Sequence, residues 1–515
     1  GSNYSANQML VGVPASAAGE VQTPTRPRRC FPNVDQRRHR AQLLGLVAQI
    51  VMDIALFSLP SALILATTSQ WLLAGFSPIS DSGAESSLSD LIGTLLLTSV
   101  IGVWISLALS SLLACLFIRL TASTPGLIAG TSARGILLRY RQQKMNQIQR
   151  LWTWTLLGQY FRAIAGVRFE QVGATECDVM VNTVPEALST AADVFMAQGC
   201  RTNSLDEEGD LLTLRPLRLG RGAFIGNNSV AESGDLPHHL LLGVSTPIGD
   251  DSYRQQLRTR AGPPLVVAGN PPLSFAQTGD SDTGAEQKPG WGLFMLRVTI
   301  GDLLGVALTP AMPFILVSVL LVATSRLGLS ELSSAILSLL TAPWILALMA
   351  LSVQKILVSR GWGRHHATPF WSVRHFTYFF AQDCFFRWAG PLLNTMAESS
   401  LGNPLLRAFG CRLGSNVLLR EPLQTFDWYA VDIGANSVVD GQLQLHSFEN
   451  RLLSIKASTV GAGSALNAGT TLMGGAELGE GTTLAAGSLV LKEMVLPSGV
   501  HGGSPAEPVA VEAGS

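Results

Sequence analysis

A six-residue rhythm near the C-terminal end limits what this chain can fold into. From Val460 onward an aliphatic residue returns at every sixth position: Val460, Leu466, Leu472, Leu478, Leu484, Val490 and Leu496. Four places after each stands Ser464, Thr470, Ala476, Thr482, Ser488, Met494 or Val500, most of them small. Three places after each stands Gly463, Gly469, Gly475, Gly481, Gly487, then Glu493, then Gly499. A period of six fits neither a 3.6-residue helix nor a two-residue strand alternation. It fits a parallel β-helix, in which each hexapeptide forms one side of a triangular coil of about 18 residues. The aliphatic residue then points into the prism, the small one sits beside it, and glycine takes the corner where a Cβ would clash.

The rest of the 515 residues leaves room for about three or four domains. With 47% hydrophobic and 14% charged residues, the chain is too apolar for a purely soluble protein. Its net charge of −1 gives no basic balance for nucleic acid. Four apolar runs are long enough to cross a bilayer, at roughly 42–67, 91–118, 302–324 and 334–358, and they form two hairpins. The loop of the first hairpin has Asp81, Glu85 and Asp90 but no Lys or Arg, and that of the second holds only Arg326. Basic residues crowd the other ends: Arg26, Arg28, Arg29, Arg37, Arg38 and Arg40, then Arg119, Arg134, Arg139, Arg141 and Lys144, then Lys355, Arg360 and Arg364. The positive-inside rule therefore places both large polar segments in the cytoplasm of a multi-pass plasma-membrane protein. Asp53 and Asp302, near the starts of the first and third runs, are read as helix-packing residues rather than an ion path.

The architecture is duplicated. After each hairpin comes a basic, aromatic segment suited to a membrane interface, at 139–166 and again at 370–396. "RAIAG" at Arg162 answers "RAFGC" at Arg407, and "GNPP" at Gly269 answers "GSPA" at Gly503. In the first copy Leu219, Ile225 and Ala231 keep the six-residue step, which Pro237 and His238-His239 are expected to break, so this copy reads as structural. The fold class is thus mixed membrane and β: two transmembrane helical hairpins alternating with two left-handed parallel β-helix domains. The boundaries are 1–40 for an arm or the tail of a preceding β-helix, 41–120 and 291–360 for the hairpins, 121–290 for the degenerate β-helix with its linker, and 361–515 for the regular one.

The chemistry is expected just before the regular ladder. His446 is the lone histidine of 425–456, flanked by Glu449 and Arg451, with Asp427 and Asp432 about one coil earlier. A histidine oriented by a carboxylate is a suitable general base near neutral pH. Glu449 or Asp427 would orient the ring, and backbone N–H groups at a corner such as Gly463 would steady an oxyanion. A surface histidine on a coil is the plain alternative. Aligning Leu211–Gly222 with Leu452–Gly463 puts Leu205 where His446 stands. Asp432, Asp440 and Arg451 are the candidate substrate-binding residues, the two acids attracting a cationic acceptor. His446 and His501 find no plausible third ligand, so no metal is expected. No phosphate-loop or adenylate-forming signature occurs.

"RAFGCRLGSNV", "FDWYAVDIGA", "LQLHSFENRL" and "VHGGSPAEP" in the second copy, and "FIGNNSVAESGDLPHHLLLGVSTPI" in the first, resemble the membrane-bound terminal region of ε-poly-lysine-synthetase-like nonribosomal peptide synthetases. The resemblance covers nearly everything after residue 40. It implies tandem acyltransferase-like domains that join amino acids by amide bonds to make a homo-poly(amino acid). It also implies upstream adenylation and carrier domains as partners, and an amino-acid or poly(amino acid) amine as acceptor. No cofactor is bound directly; the donor rides on the phosphopantetheine of a carrier. Ala435 stands where the family tends to place Asp, and Asn450 replaces a frequent Asp. Such β-helices commonly work in threes, so a pseudo-threefold or homo-oligomeric assembly is expected. The competing readings are a hexapeptide acyltransferase with another donor and acceptor, and a non-catalytic membrane scaffold.

Overall fold

The computed structural model describes residues 88–153, 155–170, 183–208, 211–232, 234–248, 265–268, 273–276, 291–359, 363–420, 425–448 and 452–509, with short pieces before and between these. The chain divides into two compact units. The first is built mainly from Val100–Gly279 and the second mainly from Asp280–Ser515.

In the second unit the six-residue rhythm becomes three parallel sheets. Thr459 pairs with Glu477, Ala465 with Thr483 and Thr471 with Leu489, each partner eighteen residues on. Three hexapeptides therefore complete one turn, and like positions stack. All seven aliphatic residues from Val460 to Leu496 are buried. Each contributes about 1.5–3 kcal/mol of apolar burial, so a charged residue at Leu472 would open the prism. The corners turn in the left-handed backbone region, with φ of 67° at Gly463, 72° at Gly469, 84° at Gly475, 68° at Gly481 and 73° at Gly487. Side chains of L-residues rarely take that conformation, which is why the ladder is so rich in glycine.

The first unit also has three parallel sheets, and here the expected break does not occur. Arg218 pairs with Asp235, Phe224 with Leu241 and Val230 with Pro247, each seventeen residues on. The turn is one residue short, and the deficit falls between Ala231 and Leu236, since Leu217 already pairs with Gly234. At the next corner, where Gly222 stands one turn earlier, His239 takes φ 55°, and histidine tolerates that region better than most residues. Leu236, Leu240 and Leu242 remain buried with Leu217, Leu219 and Ile225 in one core.

Each unit inserts a hairpin into its coil. In the first, Leu205–Glu208 pairs antiparallel with Leu211–Leu214, whose other edge pairs with Gly126–Ala129. In the second, His446–Ser447 pairs with Leu452–Ile455, whose other edge pairs with His366–Pro369. A helix follows each outer strand: Ala133–Leu151, capped by the Ser132 hydroxyl, and Val373–Cys384, capped by the Ser372 hydroxyl.

Two helices of the second unit, Trp291–Arg326 and Glu331–Val358, are long and apolar enough to cross a membrane. The first is widened into a π-helix over Val298–Leu308, just before Pro310 and Pro313. Proline lacks an N–H and crowds the carbonyl four residues back, and a wider turn relieves both demands. Pro313 leaves the Thr309 carbonyl without its helical donor, and the Trp388 indole N–H supplies one at 2.8 Å. Asp302 is fully buried. Leu88–Leu120 forms one helix, apolar over Trp104–Leu120, and from Val100 onward it belongs to the first unit. Most of the expected run at 42–67 lies outside the described residues. Asp53 within it pairs with Lys144 and accepts from the Tyr140 hydroxyl at 2.6 Å.

The first basic, aromatic segment is not a free interfacial surface. It forms Ala133–Leu151 and Leu156–Ala165, and its Arg141, Lys144 and Arg162 are buried. Arg141 forms two hydrogen bonds to the Glu186 carboxylate, at 2.8 and 2.7 Å.

Candidate active site

Three separate pieces of the second unit bring three side chains together. The inserted hairpin holds His446 opposite Ile455. The helix Val373–Cys384 carries Tyr378 on its inner face, fully buried. A 3₁₀ turn at Trp428–Ala430 is preceded by Asp427, which is also fully buried. The Asp427 amide donates to the Thr425 hydroxyl at 3.1 Å, and its carbonyl accepts from the Ala430 amide at 2.8 Å, so the carboxylate is fixed by its own backbone.

Asp427 Oδ2 lies 2.6 Å from His446 Nδ1. Asp427 Oδ1 accepts from the Tyr378 hydroxyl at 2.8 Å and from the Tyr429 hydroxyl at 3.2 Å. The Tyr378 hydroxyl is also 3.2 Å from His446 Nδ1. Burial, with Asp427 nearby, holds both phenols well above their usual range, so they remain donors to the carboxylate. A carboxylate that accepts from Nδ1–H fixes the neutral ring in one tautomer and leaves Nε2 as its basic nitrogen. Aromatic rings enclose the group: Phe448 sits 5.1 Å from the His446 ring and 5.8 Å from Phe379, and Phe426 meets Tyr378 edge-on at 5.2 Å.

His446 opens onto a cleft of about 210 Å³, lined also by Ala367, Leu445, Ser447, Ser454, Lys456, Gly474 and Lys492. At Gly474 the coil passes so close beneath the hairpin that a Cβ would come within 2.5 Å of the Leu445 carbonyl oxygen.

Of the residues singled out in the sequence, His446 and Asp427 meet. Glu449 and Arg451 lie outside the described residues. Asp432 is not beside His446: it takes two hydrogen bonds from Arg364, at 3.0 and 2.7 Å, with Arg412 at 3.7 Å. Asp440 accepts from Arg420 at 3.1 Å. Neither acid lines the cleft, and both carry arginine partners, which argues against their attracting a cationic acceptor there. The Gly463 amide is committed to the Ala435 carbonyl at 2.8 Å, so it is not an oxyanion donor. Tyr378, Tyr429, Lys456 and Lys492 were not expected. The hydroxyl-capped helix after the second hairpin could have pointed to Tyr378, two turns in from Ser372. The two lysines carry no local signal.

No family model matches the chain. Over 149 residues it is 26% identical to the delta-poly-L-ornithine synthetase of Acinetobacter baumannii (strain AB307-0294). That stretch is 28% of this chain and only 11% of the relative's length. Among solved structures, a maltose O-acetyltransferase from Clostridium difficile 630 overlaps 30% of this chain and 94% of its own, at 14% identity and a TM-score of 0.21. A Neisseria gonorrhoeae serine acetyltransferase overlaps 44% of this chain and 89% of its own, at 18% identity and a TM-score of 0.17.

Proposed function

We propose that this chain is a membrane-anchored acyltransferase module that joins amino acids through amide bonds. The donor is an aminoacyl thioester on the phosphopantetheine arm of a carrier domain, and the acceptor is the amine of an amino acid or of a growing poly(amino acid). The observation that carries the reading is the 2.6 Å contact of a buried carboxylate with the histidine of a cleft. The stretch of similarity to a poly-ornithine synthetase supports the choice of substrates.

In this reading the neutral acceptor amine attacks the thioester carbonyl carbon while His446 Nε2 takes its proton. The C–S bond then breaks, the departing sulfur takes the proton from the imidazolium, and the products are an amide and a free thiol. Asp427 keeps the ring in the required tautomer and stabilises its protonated form, and the two tyrosines keep Asp427 in place. The aromatic wall around the imidazole limits water, whose attack would waste the thioester.

Membrane anchoring rests on exposure. Only 28% of the apolar window of each long helix is buried. Leu332, Ile336, Leu339, Leu340 and Leu348 face outward along the second helix. A contiguous apolar surface of that extent needs lipid or protein to cover it. The proposal includes four spans in two hairpins, left-handed coils and a cytoplasmic active face, following the bias of basic residues.

The test is direct. The full chain in detergent or nanodiscs is mixed with an aminoacyl-pantetheine thioester and free ornithine or lysine, and amide product is followed by mass spectrometry. Dipeptide formation above the uncatalysed rate is expected. Thioester hydrolysis alone, or no turnover with the native carrier supplied, would overturn the reading.

A further inference from the structure

The helix that brings Tyr378 into the site is fastened along its length to one of the two long apolar helices. Val373–Cys384, Phe385–Ala389 and Gly390–Thr395 follow one another without a gap. This stretch meets the helix Trp291–Arg326 at three levels. Just before its start, Trp371 takes φ 53°, and the buried guanidinium of Arg297 stacks over its ring at 4.6 Å. A bulky residue rarely takes that backbone, and such strain persists where the surroundings require it. In the middle, Gly305 leaves room for Asp383: a Cβ at Gly305 would lie 3.0 Å from Asp383 Oδ2. Further on, the Trp388 indole N–H donates to the Thr309 carbonyl at 2.8 Å. Both partners are widened into π-helix along this seam, over Val298–Leu308 and Phe385–Ala389, and wide turns of this kind recur at functional sites. The fastened stretch reaches the site twice. Tyr378, between the first and second levels, donates its hydroxyl to Asp427. Phe385, between the second and third, packs at 5.8 Å on Phe426, the neighbour of Asp427. Tyr378, Phe385 and Phe426 are all buried, and a close-packed interior transmits the displacement of one side chain to the next.

We propose that Gly305 and Trp388 are positioning residues of the His446 site, so that the apolar helix is a working part of that site and not only an anchor. This rests on the acyl-transfer reading above and deepens it. Gly305 sets how closely the two helices approach, and the bond from Trp388 to Thr309 sets how far one can slide along the other. Together they hold the phenol of Tyr378 and the carboxylate of Asp427 in register with the imidazole. A catalytic group of this kind works only when its members are held within about 0.5 Å of the productive geometry. A misplacement of about 1 Å, even from a change far from the chemistry, can cost about 10²-fold in rate.

Two measurements on the full chain in nanodiscs test this, one of them without turnover. The Asp427–His446 hydrogen bond should give a downfield proton resonance, assigned by its loss in Asp427→Asn. Gly305→Val should shift or weaken that resonance, and should lower kcat roughly ten-fold with the KM of both substrates unchanged. Adding Asp383→Ala removes as many heavy atoms as the valine brings, and should restore both. Trp388→Phe keeps an aromatic ring but not the N–H, and should lower kcat several-fold in the same way; it decides the matter should Gly305→Val fail to fold. A purely structural seam would lower melting and leave the kcat and the resonance of the folded protein as in the wild type. That result would overturn the proposal, as would a Gly305→Val defect that Asp383→Ala leaves in place. Absence of amide product from every form would end the acyl-transfer reading, while the resonance and its rescue would still decide this one.

Discussion

Across the inserted hairpin of the first unit, Leu205 faces Leu214; across that of the second, His446 faces Ile455 at the same register. The match extends further. Leu138 stands six residues beyond the capping Ser132, as Tyr378 stands six beyond Ser372. Val184 precedes the 3₁₀ turn Pro185–Ala187 as Asp427 precedes Trp428–Ala430. Where the second unit joins His446, Asp427 and Tyr378 by hydrogen bonds, the first packs Leu138 and Val184 into a buried apolar cluster with Leu205 against it. The polar network of the first unit has moved two residues along, to Glu186, which is bound by Arg141 and the Ser123 amide. Tyr429 takes the place of Glu186 in the second unit, and Ala381 that of Arg141. One backbone therefore supports either an apolar plug with a buried ion pair or a histidine–carboxylate pair at a cleft. The coil and hairpin do not depend on the chemistry they carry.

The largest effect that would break this contrast is at the histidine. His446→Ala should lower amide formation by at least about 10²-fold, the usual cost of losing a general base, with the far-ultraviolet spectrum unchanged. Leu205→Ala in the first unit should leave the rate alone and cost about 1–2 kcal/mol in denaturation. Comparable rate losses from both would mean that the two hairpins act together.

Next comes the carboxylate. Asp427→Asn keeps the shape but no longer fixes the Nδ1–H tautomer, and should lower the rate by about 10²-fold with little change in binding of the acceptor. The reciprocal change, Val184→Asp, places an acid among Leu138, Leu212 and Leu214 and should destabilise the first unit by about 3 kcal/mol in denaturant titration. A stable Val184→Asp protein would show that the first site retains polar partners.

A third contrast is read in pH. His375 occupies the position of Gly135, which has no room for a side chain: a Cβ there would lie 2.4 Å from the Ala129 carbonyl oxygen. His375 is buried among Phe370, Phe376 and Phe379. Burial, and then the Arg297 charge, push its pKa well below the usual 6.5. The folded state therefore keeps the ring neutral while the unfolded chain protonates it near pH 6.5. The stability it allows is complete above that pH and falls as pH drops below it, by about 1.4 kcal/mol per unit, until the folded ring also titrates. Melting of the wild type from pH 7.5 to 5 should show this slope, and His375→Phe should remove most of it. An unchanged slope in His375→Phe would assign the acid sensitivity elsewhere.

Much of this was legible in advance, for reasons that differ by region. The ladder from Val460 could be read because a coil places like residues at like positions, so its period is written directly in the sequence. The pairing of Leu205 with His446 could be read because the two hairpins share length and register. Asp427 could be brought near His446 because the coil length was known. The coil's passage through His238-His239 could not be read, since it depends on one corner residue accepting a left-handed backbone. Tyr378 was hidden because its segment looked like a membrane-interface helix, and only the packing of that helix on the hairpin turns the hydroxyl inward. Lys456 and Lys492 lie thirty-six residues apart, two coils in space, and no local pattern joins them.

The smallest effect expected is none. Leu205→His puts an imidazole at the position of His446, but its neighbours are Val184 in place of the carboxylate and Leu138 in place of the phenol. Without an acceptor for Nδ1–H, no tautomer is favoured, and the ring must also be desolvated against Leu212 and Leu214, which disfavours its protonated form. A base needs that protonated form to be accessible, so no transfer should appear when His446→Ala has silenced the second unit. Adding Val184→Asp and Leu138→Tyr rebuilds the triad, yet Arg215, which follows Leu214 as Lys456 follows Ile455, lies 3.6 Å from Asp206. The triple variant in the His446→Ala background should therefore still make no detectable amide by mass spectrometry. Product from Leu205→His alone would show that the first unit already has a substrate cleft, and that the contrast between the two units rests on one side chain.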